Sequence, residues 1–140
     1  MKISARVQNS IENHRVTLTT NRQSQTIQIA PKSTGFGSSV NGGELLFLAL
    51  ATCYCNDIYR EAEKQGIRVD SIEVEVDGEF GGTGEPAQNV TYRARVTAQA
   101  REEDILALMR HTDWVAEIQN TLRVITPVVL SEVEAVSIRS

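Results

Sequence analysis

Aromatic residues are scarce in this 140-residue chain, 5% in all with a single tryptophan. That leaves little material for the stacking platforms that hold unpaired bases. There is no basic excess either: 14 Lys+Arg stand against 18 Asp+Glu, a net charge of −4 with no basic block. Phosphate neutralisation dominates nucleic-acid affinity, so no nucleic-acid partner is expected. The longest apolar run, Leu45 to Ala51, falls far short of the roughly 20 residues that span a bilayer. No membrane partner is expected. The opening Met1-Lys2-Ile3-Ser4-Ala5-Arg6 lacks the charged-then-apolar pattern of a secretory signal. Only two cysteines are present, Cys53 and Cys55, too few and too close for a secreted disulfide framework. These absences point to a cytoplasmic protein.

What is present suits one domain over residues 1–140, with 41% apolar and 23% charged residues. The expected sections are N-terminal strands within 1–31, a central helix over about 44–66, and a strand-and-helix section over 69–140. Ile3–Gln8, Val16–Thr20 and Thr26–Ala30 are β-rich pieces divided by polar, asparagine-containing clusters. Residues 31–43 form a glycine- and serine-rich loop in which Ser38, Ser39 or Asn41 can cap a helix. The helix that follows is about 33 Å long at 1.5 Å per residue, with Gly66 as its terminating residue. Its first half, Leu45 to Ala51, is apolar on every side, the mark of a buried helix.

Beyond the helix, Ile72–Phe80 alternates apolar and acidic residues as a half-buried strand, so Glu73, Glu75 and Asp77 read as its solvated face. Gly78 to Pro86 reads as a hairpin loop and Val90–Ala98 as the returning strand. Helices are expected over Glu102–His111 and Trp114–Leu122, then strands over Val124–Leu130 and Val133–Ile138. Helices that do not alternate singly with strands give an α+β fold class. One such domain does not easily surround a long apolar helix, and a two-fold homodimer is the simplest remedy.

Helical geometry separates the two thiols. Two residues apart is about 200° of rotation, so they face opposite ways and neither bond to each other nor clamp one metal ion. Cys55 shares a stripe with Leu48, Ala51, Ile58 and Ala62 and reads as a packing residue. Cys53 lies with Leu46, Ala49, Leu50, Asn56, Asp57 and Arg60, where apolar surface gives way to polar. Asp57 raises the pKa of a thiol placed there, and Arg60 on the same face compensates. From the helix alone, a reactive Cys53 and an inert one both stay open. His14 and His111 are far apart, out of ligand spacing with the cysteines, and suit surface or interface roles. Trp114 suits core or dimer packing.

Glu44-Leu45-Leu46-Phe47-Leu48-Ala49-Leu50-Ala51-Thr52-Cys53 resembles the central-helix signature of the OsmC/Ohr family, Asn-Pro-Glu-Glu-Leu-Leu followed by a small-residue helix ending in Ala-x-Cys. The likeness extends from Ser33 through Lys64-Gln65-Gly66, the Ile72–Gly78 strand and Asn120-Thr121-Leu122. It implies an OsmC-like α+β fold, with antiparallel sheets around a long buried central helix in an intertwined homodimer. It also implies thiol peroxidase chemistry on organic hydroperoxides, in which the helix cysteine attacks and its sulfenic acid condenses with a second cysteine.

Cys53 matches the attacking residue. The second family cysteine falls on Ala116, and the acidic residue that orients the family's arginine falls on Gly43, beside Glu44. Arg15 is the nearest counterpart of that arginine and Arg22 the next. The expected site is therefore Cys53 as nucleophile, with Arg15 or Arg60 as thiolate stabiliser and Glu44 as orienting acid. No cofactor or metal is implied. A single-cysteine peroxidase served by an external thiol reductant is one reading; a non-catalytic dimer binding a small hydrophobic ligand at its interface is the other.

Overall fold

The computed structural model describes residues 1–138. Its elements are β1 (Ile3–Ser10), β2 (Asn13–Thr20), β3 (Gln23–Ile27), α1 (Gly42–Lys64), β4 (Arg68–Phe80), β5 (Ala87–Gln99), α2 (Glu102–Val115) and α3 (Glu117–Arg123). The architecture is α+β. Its contacts fall into two compact units, one of residues 1–49 and 77–91, the other of residues 50–76 and 92 onward.

In the first unit, β1, β2 and β3 form an antiparallel meander, with Val7 opposite Val16 and Val16 opposite Ile27. Asn21 and Arg22, between β2 and β3, both adopt left-handed conformations (φ 47° and 72°). A two-residue turn of this kind matches the natural twist of a hairpin. Val16 is the sheet's buried apolar residue; every side chain of β1 and β3 is exposed.

The start of α1 is fixed by a reciprocal cap. Glu44 N–H donates to Asn41 Oδ1 at 2.8 Å and Asn41 N–H donates to Glu44 Oε1 at 3.0 Å. The helix closes at Gly66, whose φ of 68° lets Ile67 N–H donate to Ala62 O at 2.9 Å. Phe47 stacks on Phe80 with ring centroids 6.0 Å apart. Gly78, expected in a hairpin loop, lies inside β4. A Cβ there would stand 2.6 Å from Phe47 Cζ, so this glycine permits close approach of a ring rather than a turn. The loop is confined to residues 81–86.

The second unit holds the core. Tyr54, Ile58 and Ala62 of α1 meet Leu108 of α2, and Ile67, Val69, Ile72, Val74, Tyr92, Ala94, Val96 and Met109 pack around them. The alternation read in the sequence places Ile72, Val74 and Val76 inward while Glu73, Glu75 and Asp77 are exposed. Tyr54 Oη donates to Met109 O at 2.9 Å, which satisfies the hydroxyl while its ring packs edge-on against Tyr92. Arg123 holds Asp113 at 2.6 Å, and Tyr92 Oη donates to the same carboxylate.

The apolar half of α1, which one domain does not easily surround, is left largely uncovered by this chain: Leu48 is 58% exposed, and of Leu45 to Ala51 only Leu50 is fully covered. An all-apolar stretch signals that something must cover it, not that the same chain does. One expectation is corrected: Val124–Leu130 and Val133–Ile138 form no strands; residues 124–138 carry neither helix nor strand, with Ile125 98% and Val128 95% exposed. A β-rich pattern still requires a ladder partner. Trp114 is not part of this chain's core; it is exposed. No helix among the described residues is long and apolar enough to cross a membrane.

Candidate functional site

Cys53, Asp57 and Arg60 recur at helical spacing and so share one face of α1. The chain reverses at Ala116, which is fully buried between α2 and α3, and this brings Glu117 against that face. Gln119 secures the arrangement: its Nε2 donates to Leu50 O at 2.9 Å, one turn before the cysteine. The Oε1 of the same buried amide has no hydrogen-bond partner among the described residues.

Cys53 Sγ lies 3.4 Å from Asp57 Oδ2 and 3.9 Å from Glu117 Oε2. Burial pushes the thiol above its ordinary pKa, and Asp57 and Glu117 push it further; the backbone N–H of Ile118 opposes them. Asp57 is itself buried, and burial together with a hydrogen bond to Glu117 raises its carboxyl pKa. Glu117 is held low by its own backbone N–H and by Asp57 and Arg60. Arg60 Nη1 stands 3.1 Å from Asp57 and 3.0 Å from Glu117, while its Nε donates to Glu61 at 2.8 Å. The compensation expected of Arg60 therefore goes to three carboxylates rather than to the thiol.

The sulfur and the carboxylate oxygens of Asp57 and Glu117 lie within 4.8 Å of one another. That spacing suits one small cation, but the positive charge at the cluster is already that of Arg60, and no metal is assigned there.

The remaining site residues make other contacts. Arg15 stands on β2 opposite Gln8 and Arg22 in the following turn, both in the first unit. Glu44 spends its carboxylate on the helix cap. Cys55 is half-buried and lines a separate cleft of about 240 Å³ with Ala51, Thr52, Asn56, Ile72 and Val74. His14 meets Asn9. Glu117 escaped the sequence reading, although the resemblance had laid the family's second cysteine on its neighbour Ala116. Adjacency to that position was the available signal.

Next to the site, buried Glu61 accepts from Arg60, from Lys64 at 3.0 Å and from His111 at 2.9 Å. Arg60, Lys64 and His111 together hold its carboxyl down at about 2, from an ordinary 4.5. A carboxylate depressed on folding contributes stability that is present above the unfolded pKa and lost as pH falls through the folded one. The stability difference between wild type and Glu61→Gln is therefore expected to be constant above pH 4.5 and to shrink towards pH 2. Urea midpoints across that range check it; a difference independent of pH would assign Glu61 to packing alone.

A family model described as OsmC-like protein matches residues 35–131. Among solved structures, an OsmC-like protein from Mycoplasma pneumoniae is similar at TM-score 0.60 and 16% identity, covering 86% of this chain and 87% of its own. An organic hydroperoxide resistance protein from Legionella pneumophila is similar at TM-score 0.58 and 20% identity, covering 88% and 90%. The organic hydroperoxide resistance protein of Bacillus subtilis is similar at 0.50 and 18%, covering 87% and 89%. At such identities the structures establish the shared fold. A comparison with curated proteins finds no match.

Proposed function

The chain belongs to the OsmC-like family, and from that membership we propose that it is a thiol-dependent peroxidase that reduces organic hydroperoxides at Cys53. The observation that carries this reading is the position of Cys53. By the resemblance of residues 44–53 it matches the family's helix cysteine; it is half-buried and sits among ionisable groups supplied by two helices. The hydroperoxide resistance proteins among the structural neighbours support the same substrate class.

In the reaction, Sγ attacks the terminal, hydroxyl-bearing peroxide oxygen, the O–O bond breaks, and the alkyl-bearing oxygen leaves as the alcohol with Cys53 as sulfenic acid. No second thiol of this chain is placed to condense with it. Cys55 lines another cleft, and the position of the family's second cysteine is the buried Ala116. Two equivalents of an external thiol then return Cys53–SH, giving one water and one disulfide of the reductant.

The test is consumption of tert-butyl hydroperoxide with dithiothreitol as reductant. Cys53→Ser is expected to bring the rate to the uncatalysed background, and Cys55→Ser to leave most of it. Equal rates for wild type and Cys53→Ser would overturn the reading.

The exposed apolar surface of α1 suits a second reading, in which the fold binds a small hydrophobic ligand at a dimer interface without turnover. Alkylation of Cys53 by iodoacetamide as a function of pH bears on both. We also propose that the protein acts as a homodimer. Supporting this are the exposed apolar half of α1, the nearly coreless β1–β3 sheet and the unpaired apolar segment 124–138.

A further inference from the structure

When Cys53 attacks a peroxide from its thiol form, its proton must leave as the S–O bond forms. The leaving alkoxide must also gain one. A single group that accepts the first proton and returns it to the second site meets both needs with no net transfer to solvent. The groups facing the sulfur are few. From α1 there is Asp57, with Arg60 and Glu61 behind it; from α3 there are Glu117 and the Ile118 N–H. From α2, His111 reaches only as far as Glu61.

Of these, Asp57 is nearest, at 3.4 Å from Sγ to Oδ2. It sits one helical turn beyond the cysteine, its side chain leaning back over Cys53 as helical side chains do. Its other oxygen is held at 3.1 Å by Arg60, which leaves Oδ2 directed at the sulfur. Arg60 and Lys64 draw Glu61 away from this role.

We propose that Asp57 is a catalytic residue of the thiol–peroxide step, taking the proton from Cys53 Sγ and delivering it to the departing alkoxide oxygen. This deepens the peroxidase reading and rests on it. The S–H and O–O bonds break and the S–O bond and the alcohol O–H form. Cys53 is oxidised by two electrons to the sulfenic acid, the hydroperoxide is reduced to alcohol and Asp57 ends unprotonated. Burial suits the carboxylate to the task, since it makes Asp57 a stronger base than a solvated aspartate while leaving it able to give the proton back. Arg60 is a positioning residue that acts through Asp57.

The experiment compares two reagents on the full chain, each in single turnover at Cys53 and read by mass spectrometry. Iodoacetamide needs only the thiolate, because iodide leaves without a proton. The hydroperoxide needs a proton donor as well. Asp57→Asn removes a negative charge beside the thiol, so alkylation should hold steady or accelerate. Oxidation by tert-butyl hydroperoxide should slow by about a hundred- to ten-thousand-fold, the usual worth of a positioned acid or base. Asp57→Glu should recover part of that loss.

In wild type the hydroperoxide rate should level off with pH once Asp57 is ionised, while alkylation keeps rising with the thiolate. Only this split supports the proposal. Both rates rising together in Asp57→Asn would make the carboxylate a mere suppressor of the thiolate. Both falling together would make it a packing residue, and no change would leave it idle; each overturns the proposal. The peroxidase reading fails separately, through equal hydroperoxide consumption by wild type and Cys53→Ser.

Discussion

Leu108→Ala is expected to lower the unfolding free energy by about 2–5 kcal/mol. Leu108 is wholly buried. It is the buried apolar side chain that α2 sets against Tyr54, Ile58 and Ala62 of α1. Truncation to alanine loses the transfer free energy of the deleted carbons and also leaves a cavity. The cavity persists because the surrounding groups are fixed by other bonds: Tyr54 by its hydroxyl on Met109 O, and Thr112 by its hydroxyl on Leu108 O at 2.8 Å. Ile58→Val, at an equally buried position, removes one methyl group and is expected to cost about 0.5–1.5 kcal/mol. Urea denaturation followed by circular dichroism measures both. A Leu108→Ala loss below about 1 kcal/mol would show that this contact is not the centre of the core.

Removal of residues 124–140 is expected to convert the proposed dimer to monomer. Seven large apolar side chains of this segment, Ile125, Val128, Val129, Leu130, Val133, Val136 and Ile138, are at least 77% exposed. A run of exposed apolar residues with strand-forming composition is the kind of surface that a second chain covers. Full burial of one such side chain is worth about 1.5–3 kcal/mol. Two of them therefore carry a hundredfold or more in dissociation constant, at about 1.4 kcal/mol per tenfold. The double variant Ile125→Asp/Val129→Asp should accordingly weaken association at least a hundredfold without shortening the chain. Sedimentation velocity over a range of concentrations reads both variants. An unchanged dimer in each would place the interface elsewhere, with the exposed face around Leu48 the next surface to test.

The sequence was most informative where local chemistry alone decides the outcome. Asn41 and Glu44 stand three residues apart as a capping box requires, and Gly66 ends the helix for a reason internal to its backbone. The alternation in β4 reports burial because a pleated strand turns every second side chain to one face. The errors come from contacts that local pattern does not encode. Gly78 has the composition of a turn, yet its use is set by Phe47, far away in sequence. The segment 124–138 has strand propensity but no ladder within the described residues. At the candidate site, Cys53 and Arg60 were identified because α1 carries them on one face. Glu117 was not, because it arrives only through the reversal at Ala116 and the hold of Gln119 on Leu50. Arg60 was assigned to the thiol because its competitors, Glu61 and Glu117, become visible only in three dimensions.

The left-handed pair Asn21–Arg22 has a consequence for the fidelity of folding. A sheet with one buried apolar side chain exerts almost no hydrophobic preference between one strand alignment and the next. Slipping β3 along β2 by a single residue would reverse every side chain of β3 at little cost in burial. What forbids the slip is the tight turn, reinforced at its first residue by Lys2, whose N–H donates to Asn21 Oδ1 at 3.0 Å and whose carbonyl accepts from Asn21 N–H at 2.9 Å. The alignment of β3 on β2 is thus stored in backbone torsions at two positions rather than distributed along a core. Mistakes in strand alignment should concentrate wherever those two torsions are relaxed.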